Sequence, residues 1–485
     1  MCIDLTVSRR FTASFLLIAM LAASACGGTS EAVDTTAADG TTIPEETTAE
    51  DPYIYDDLPA KDFGGAEWNI LTTTWYNAPN YIYAETQNGD VMNDALYSAR
   101  INVEDRFNVK IKLTAEEDHG PLAVTIHNLV LSGDDTYHLF YSHDTKTVGN
   151  AFGGDFLDIR SALDLNFDKP WWKGATESFT IADKLLFTSN CFSLGNIFMN
   201  YVLAFNKEMA DANNVKIPYD KVTAGQWYLD DLISLTKDVA RDIDGDSDID
   251  ENDQYGFVTS YYGNMGMQSD LGGAAIVTGA NGELKFNDNT ERMVGLMEKV
   301  ETLMKAGTSK YGKSNEFGVE LFVDHKALFM FGESRVLYSH VRDSDVTYGI
   351  MPFPKYDSTQ KEYASSGCDL YWAIPKTAKD LDMTSVIMEA LSCYNYNNVV
   401  PKVWELVLGR KLADSQEDTD MFNIIRDVQY VDLGFAFSFQ STELSETVFL
   451  LEKTTSDQAA SYIASRKTAV EEAIEKINAY YRDYE

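Results

Sequence analysis

Cysteine is scarce in this chain: five in 485 residues, with no C-x-x-C pair. The missing spacing removes dithiol redox chemistry and thiolate zinc sites, and the count supports no disulfide framework. Histidine is scarcer in effect. His119, His127, His138, His325 and His340 show no metal-ligand spacing, H-E-x-x-H is absent, and His143 beside Asp144 reads as a loop histidine rather than a catalytic one. Bases are few: 39 Lys and Arg stand against 76 Asp and Glu, a net charge of -37. Such a surface repels phosphate backbones and anionic headgroups, which excludes nucleic acid as a partner. G-x-S-x-G and G-x-x-x-x-G-K-[ST] are also missing. Ser358 to Lys361 matches S-x-x-K, but in a polar turn-like stretch without S-D-N or K-T-G.

What remains is a large globular body. A hydrophobic content of 45% and an aromatic content of 12% over this length allow two lobes with full cores. Residues 1–25 read as a signal peptide: Arg9 and Arg10 are its basic start and residues 15–21 its apolar stretch, too short to stay as a membrane span. The small residues before Cys26 resemble a bacterial lipobox, which predicts a diacylated Cys26. Ala23 stands where Leu is usual, so plain secretion after Ala25 stays open. Residues 26–62 read as a lipid-anchored, disordered linker of Thr, Ala, Glu and Asp. Of the other cysteines, Cys191, Cys368 and Cys393 are expected as buried thiols, with one disulfide among them left open.

The densest chemistry lies at 242–253. Asp242, Asp244, Asp246, Asp250 and Asp253 fall at positions 1, 3, 5, 9 and 12 of a twelve-residue loop, and Asp248 at position 7 would offer its carbonyl. Calcium wants six to eight oxygens, and this alternation turns every second side chain inward. Ser247 replaces the usual turn glycine and Asp253 the usual Glu, closer to a dockerin loop than to a sensor EF-hand. The expectation is structural calcium.

Periodicity supplies the architecture. Residues 68–74, 109–113 and 137–141 read as strands, alternating with helical stripes at Leu96, Ala99, Val103, Phe107 and at Leu122, Ile126, Leu129, Val130. Strand–helix alternation predicts an α/β fold with a mostly parallel sheet. Residues 185–188, 256–260 and 327–331 read as further strands, and Asn88-Gly89 and Asn281-Gly282 as hairpin-type turns. The last 85 or so residues read as mainly helical, with no internal repeat. Trp227 and Trp404 lie on helical stripes and read as core, while Trp171 and Trp172 stay open between core and cleft.

The order Gly225-Gln226-Trp227, acidic loop, then Asp253-Gln254-Tyr255-Gly256-Phe257 resembles extracellular solute-binding proteins of ABC importers, the maltose-binding-like family 1. Further motifs in the same order are Leu203 to Lys207, Tyr348 to Pro354, Trp372 to Lys376 and Val431 to Gly434. The resemblance implies a two-lobed, periplasmic-binding-protein-like clamshell (type II) with a helical C-terminal region. Lobe 1 would be 63–188 plus 364–398, and lobe 2 would be 189–363 plus 399–485 with the calcium loop as a brace. It also implies a monomer at the outer face of the membrane, handing a sugar to ABC permease subunits without altering it.

Ligands of open α/β sheets bind beyond the carboxyl ends of strands. That rule selects Trp75, Tyr76, Asp144, Asn190, Tyr261, Tyr262, Glu333, Arg335, Asp369, Tyr371 and Trp372. Flat rings beside carboxylates, amides and a guanidinium suit the apolar faces and hydroxyl rim of a carbohydrate, such as an oligosaccharide. Three alternatives stay open: a peptide or polyamine receptor, a glycosidase using Glu333 and Asp369, and a dockerin-like scaffold module.

Overall fold

Burial on both faces along residues Ala66–Thr73 sets the first strand as an interior one. Trp68 and Ile70 are buried on one face, Leu71 and Thr73 on the other. The computed structural model describes residues 53–247, 249–305, 309–312, 317–341, 344–367, 370–404 and 415–484. Its strands are β1 (Ala66–Thr73), β2 (Val109–Glu116), β3 (Leu139–His143), β4 (Tyr201–Asn206), β5 (Tyr255–Ser260), β6 (Ile276–Thr278), β7 (Leu284–Phe286), β8 (Ser309–Gly312), β9 (Ala327–Glu333), β10 (Tyr348–Met351), β11 (Ser365–Gly367), β12 (Leu370–Ala373) and β13 (Gln429–Val431).

Two sheets carry the body. The first has the order β12-β3-β1-β2, with β1 parallel to β2 and β3 and with β12 antiparallel at the edge. The second has the order β10-β4-β9-β5-β8. It is mixed, because β4 runs antiparallel to both neighbours while β9, β5 and β8 are parallel. The second sheet is covered on both faces, as its continuous apolar strands require. Leu203, Phe205, Phe257, Phe329 and Phe331 enter one core, while Val202, Ala204, Val258 and Met330 enter the other. Gly349 faces Phe205 across the β10–β4 pair, where a Cβ would lie 2.1 Å from the ring, so only glycine fits.

Helices start and stop on local chemistry. Asp90 accepts from Asn93 N at 3.0 Å to open Val91–Phe107, which ends at Asn108 in the left-handed region (φ 50°). Asp118 opens His119–Ser132, which ends at Gly133 (φ 74°). The C-terminal helix Ser456–Arg482 runs about 40 Å and buries Ala459, Ile463, Val470, Ile474, Ile477 and Tyr481. Its Asn478 bonds both the N–H and the carbonyl of Leu284 at 2.9 Å, closing the open side of the β6–β7 hairpin. No helix among the described residues is long and apolar enough to cross a membrane.

Three expected elements differ. Residues 185–188 form no strand, only an isolated bridge from Thr188 to Trp372, because this stretch crosses between the sheets instead of joining one. Asn88-Gly89 does not turn a hairpin but leads into the Asp90 cap, with no strand on either side. The second sheet is only half parallel. Trp227 and Trp404 are core as expected, and so are Trp171 and Trp172. The last two donate to the two oxygens of buried Glu389, each at 2.9 Å. Cys191 and Cys393 are free thiols, with burial pushing them up to about 12 and about 11; Cys368 lies outside the described residues.

Candidate functional site

The carboxyl ends of β1 and β9, one from each sheet, face each other across a cleft. After β1 the chain makes the short helical stretch Trp75–Tyr81, in which Tyr76 (φ 54°, ψ 23°) and Asn77 (φ 57°, ψ 31°) are both left-handed. Two consecutive non-glycine residues in that region store strain, which packing must hold. The packing is visible: the Tyr76 ring stacks on Trp75 at 3.4 Å between centroids, and the Arg335 guanidinium lies 4.5 Å from the Tyr76 centroid. Arg335 follows β9 and donates Nε to Glu333 Oε2 at 2.7 Å. Burial disfavours its charge, but the Glu333 carboxylate together with Tyr76 and Tyr81 holds its pKa above the ordinary value.

These groups border a cavity of about 320 Å³. Four rings line it (Tyr76, Tyr81, Tyr83 and Tyr338), with four amides (Asn77, Asn80, Asn88 and Asn93), Arg335, Asp90, Ser339 and Met92. Tyr81 stacks on Phe198 of the first crossing at 5.3 Å, and Phe198 meets Tyr338 edge-on at 5.1 Å, which ties both walls to the cleft floor. Burial raises the Tyr83 phenol, so it stays a hydrogen-bonding hydroxyl. Behind Trp75 sit two imidazoles: His119 at 4.4 Å and His143 at 4.3 Å, themselves stacked at 4.6 Å. Burial and the facing His143 lower the His119 pKa. Asp144 is buried and pairs with His143 Nδ1 at 2.6 Å, so it supports this aromatic group from behind.

The strand-end rule therefore unites Trp75, Tyr76, Asp144, Glu333 and Arg335, and misplaces others. Asn190, Tyr371 and Trp372 do not line the cleft. Trp372 and Tyr371 are fully enclosed, Tyr371 stacks on Phe187 at 5.4 Å, and Asn190 is consumed by bonds to Trp171 O, Ser392 Oγ and the Trp372 indole. The reason is that β12, though at the sheet edge, is packed on both faces, Tyr371 against Phe179 and Phe187 and Trp372 against Trp172 and Phe192. Tyr262 follows β5 and is exposed, but it packs edge-on against Phe435 and Phe449 rather than into this cavity. The side chain of Tyr261, and all of Asp369, lie outside the described residues. Sequence reasoning missed the asparagines and Tyr81, Tyr83 and Tyr338. The available signal was the density of Tyr and Asn in 76–83.

The acidic loop has partly the geometry that calcium needs. Ligand oxygens of Asp242, Asp244 and Asp246 all lie within 4.8 Å of one another. Ser247 adopts φ 76°, doing what a turn glycine does in such loops. The Asp246 amide favours the Asp244 charge, yet desolvation and the carboxylates of Asp246, Asp253 and Asp242 hold its pKa above the usual range. Asp253 is buried and accepts from Ile243 N at 2.7 Å and Asp250 N at 2.8 Å, which pins the loop ends together. Asp248 lies outside the described residues. Asp242, Asp244 and Asp246 fit one side of a hard-cation site, whereas Asp250 and Asp253 do not join that cluster: both Asp253 oxygens accept backbone N–H groups, and Asp250 accepts from Asn252 N at 2.8 Å.

No protein-family model matches the chain, and no curated protein matches it in sequence. Solved structures do match its fold. A cyclo/maltodextrin-binding protein complexed with maltotetraose aligns at 11% identity over 83% of this chain and 97% of that one, TM-score 0.55. A sugar transporter from Rhizobium etli, in an open conformation, aligns at 13% identity over 83% and 99%, TM-score 0.54. A family 1 extracellular solute-binding protein from Bifidobacterium longum subsp. infantis aligns at 14% over 84% and 100%, TM-score 0.52. The fold of this chain is thus the two-lobed α/β fold of maltose-binding-like solute-binding proteins.

Proposed function

We propose that the protein captures a carbohydrate, an oligosaccharide in particular, and passes it unchanged to the membrane subunits of an ABC importer. One observation carries this reading: a cleft between the two sheets lined by four tyrosines and four asparagines. The rings of Tyr81, Tyr83 and Tyr338 suit the apolar faces of a pyranose, and amides pair with its hydroxyls. Charge separates the sugar from its rivals. Among the described residues of the lining, the one cation, Arg335, is matched by Glu333, and the one acid, Asp90, is engaged as a helix cap. A polyamine would need several uncommitted carboxylates, and a glycosidase would need Glu333 free as an acid rather than bound to Arg335. The neighbours that share the fold are named for maltodextrin, sugar and solute binding.

In this reading the lobes divide as 63–188 plus 364–398 and 189–363 plus 399–485. Cys26 carries the lipid anchor at the outer face of the membrane, the protein acts as a monomer, and calcium at Asp242, Asp244 and Asp246 braces the second lobe. A thermal-shift screen tests the reading: a neutral oligosaccharide should raise the melting temperature and be recovered intact. Reducing ends released from the sugar would replace capture with hydrolysis.

A further inference from the structure

The Tyr76 ring is the natural platform for a sugar, and neither of its faces is open. Trp75 stacks on it at 3.4 Å with 27° between the planes, and the Arg335 guanidinium sits 4.5 Å from its centroid. Two groups cannot share one ring face at these distances, so Arg335 holds the side opposite Trp75. The two partners belong to opposite walls. Tyr76 follows β1 of the first sheet and Arg335 follows β9 of the second. Each is held in place by its own wall. Tyr76 is fixed by a left-handed backbone and by Trp75, while Arg335 is fixed by Glu333 at 2.7 Å. Ser334, between them in sequence, bonds the first crossing twice, through Asn200 O at 2.8 Å and Ile197 O at 2.7 Å.

We infer that Arg335 on Tyr76 is a clasp that joins the two walls of the cleft before any solute arrives, and that Tyr76 is a fastening rather than a stacking surface. The contact needs a flat cation and a ring. It needs no phenol hydroxyl, and a guanidinium keeps its charge across the physiological range. It therefore sets the resting separation of the lobes, against which solute-driven closure works. Stacking on a solute is left to Tyr81, Tyr83 and Tyr338, a consequence that rests on the carbohydrate reading; the clasp itself does not.

Small-angle scattering on the solute-free full chain tests it, with no sugar present, so the result is independent of which solute the cleft takes. Arg335→Gln and Tyr76→Ala should each increase the radius of gyration. Tyr76→Phe, which keeps the ring, should leave it at the wild-type value. The Tyr76→Ala/Arg335→Gln pair should open the protein no further than either change alone, because both remove one contact. Circular dichroism checks that each variant is folded. Because the contact is broken from either wall, one folded variant is enough to decide. A wild-type radius in a folded Arg335→Gln or Tyr76→Ala protein would overturn the clasp, as would an opened Tyr76→Phe.

Discussion

Trp372 donates its indole N–H to Asn190 Oδ1 at 2.9 Å, with Trp372 fully enclosed and Asn190 nearly so. The bond joins the first crossing between the sheets to β12, which returns from the second. Asn190→Ala would strand a buried indole donor and the Ser392 hydroxyl that also meets Asn190. The expected loss is about 1–3 kcal/mol of stability, read by urea unfolding, with solute affinity unchanged. A weakened affinity at unchanged stability would return Asn190 to the binding surface.

Asp270 governs a pH dependence. Burial pushes its carboxyl well above the usual range; the Ser366 amide, donating to Oδ1 at 2.8 Å, pulls the other way, and nearby Asp432 adds to the rise. A raised folded pKa means that the folded state holds the proton. Its contribution is therefore full below the unfolded value of about 3.9 and is lost as pH climbs toward the folded pKa. Over that window the slope from this one group is about 1.4 kcal/mol per pH unit. Asp270→Asn should flatten the stability–pH curve by up to that slope. Asp432, also raised by burial, keeps the remainder. An unchanged slope would show that Asp270 is ionised in the folded protein.

Calcium should act as a brace. At ten times its Kd, an ion that binds only the folded state adds about 1.4 kcal/mol. Chelation should lower the melting temperature by a corresponding few degrees, and Asp242→Ala or Asp246→Ala should remove the response to added calcium. Calorimetry showing no heat at millimolar calcium would leave the loop merely acidic.

Much of this was legible in the residues themselves. The alternating run at 109–113 and the apolar or β-branched runs at 68–74 and 327–331 mark strands, and the positions beyond the first and last of these in the chain lead to Trp75, Tyr76 and Arg335. Trp372 and Tyr371 have the same chemistry, but burial depends on what covers both faces of β12, and that is a tertiary property. Asn77, Asn80 and Asn88 escaped notice because asparagine in a loop has the same appearance whether it turns the chain or meets a ligand. The left-handed backbone at Tyr76 and Asn77 could not be read at all, since neither residue is glycine.

The most direct test of the carbohydrate cleft is calorimetric titration of a stabilising oligosaccharide into wild type and into Tyr338→Ala and Asn80→Ala. Removing one ring or one amide from the lining should weaken binding by about 0.5–1.5 kcal/mol each, or roughly two- to tenfold; without sugar the melting temperature should hold in Asn80→Ala and fall in Tyr338→Ala, whose ring also packs on Phe198. Wild-type affinity in both variants would contradict the account, as would spermidine or a tetrapeptide binding where every neutral oligosaccharide fails.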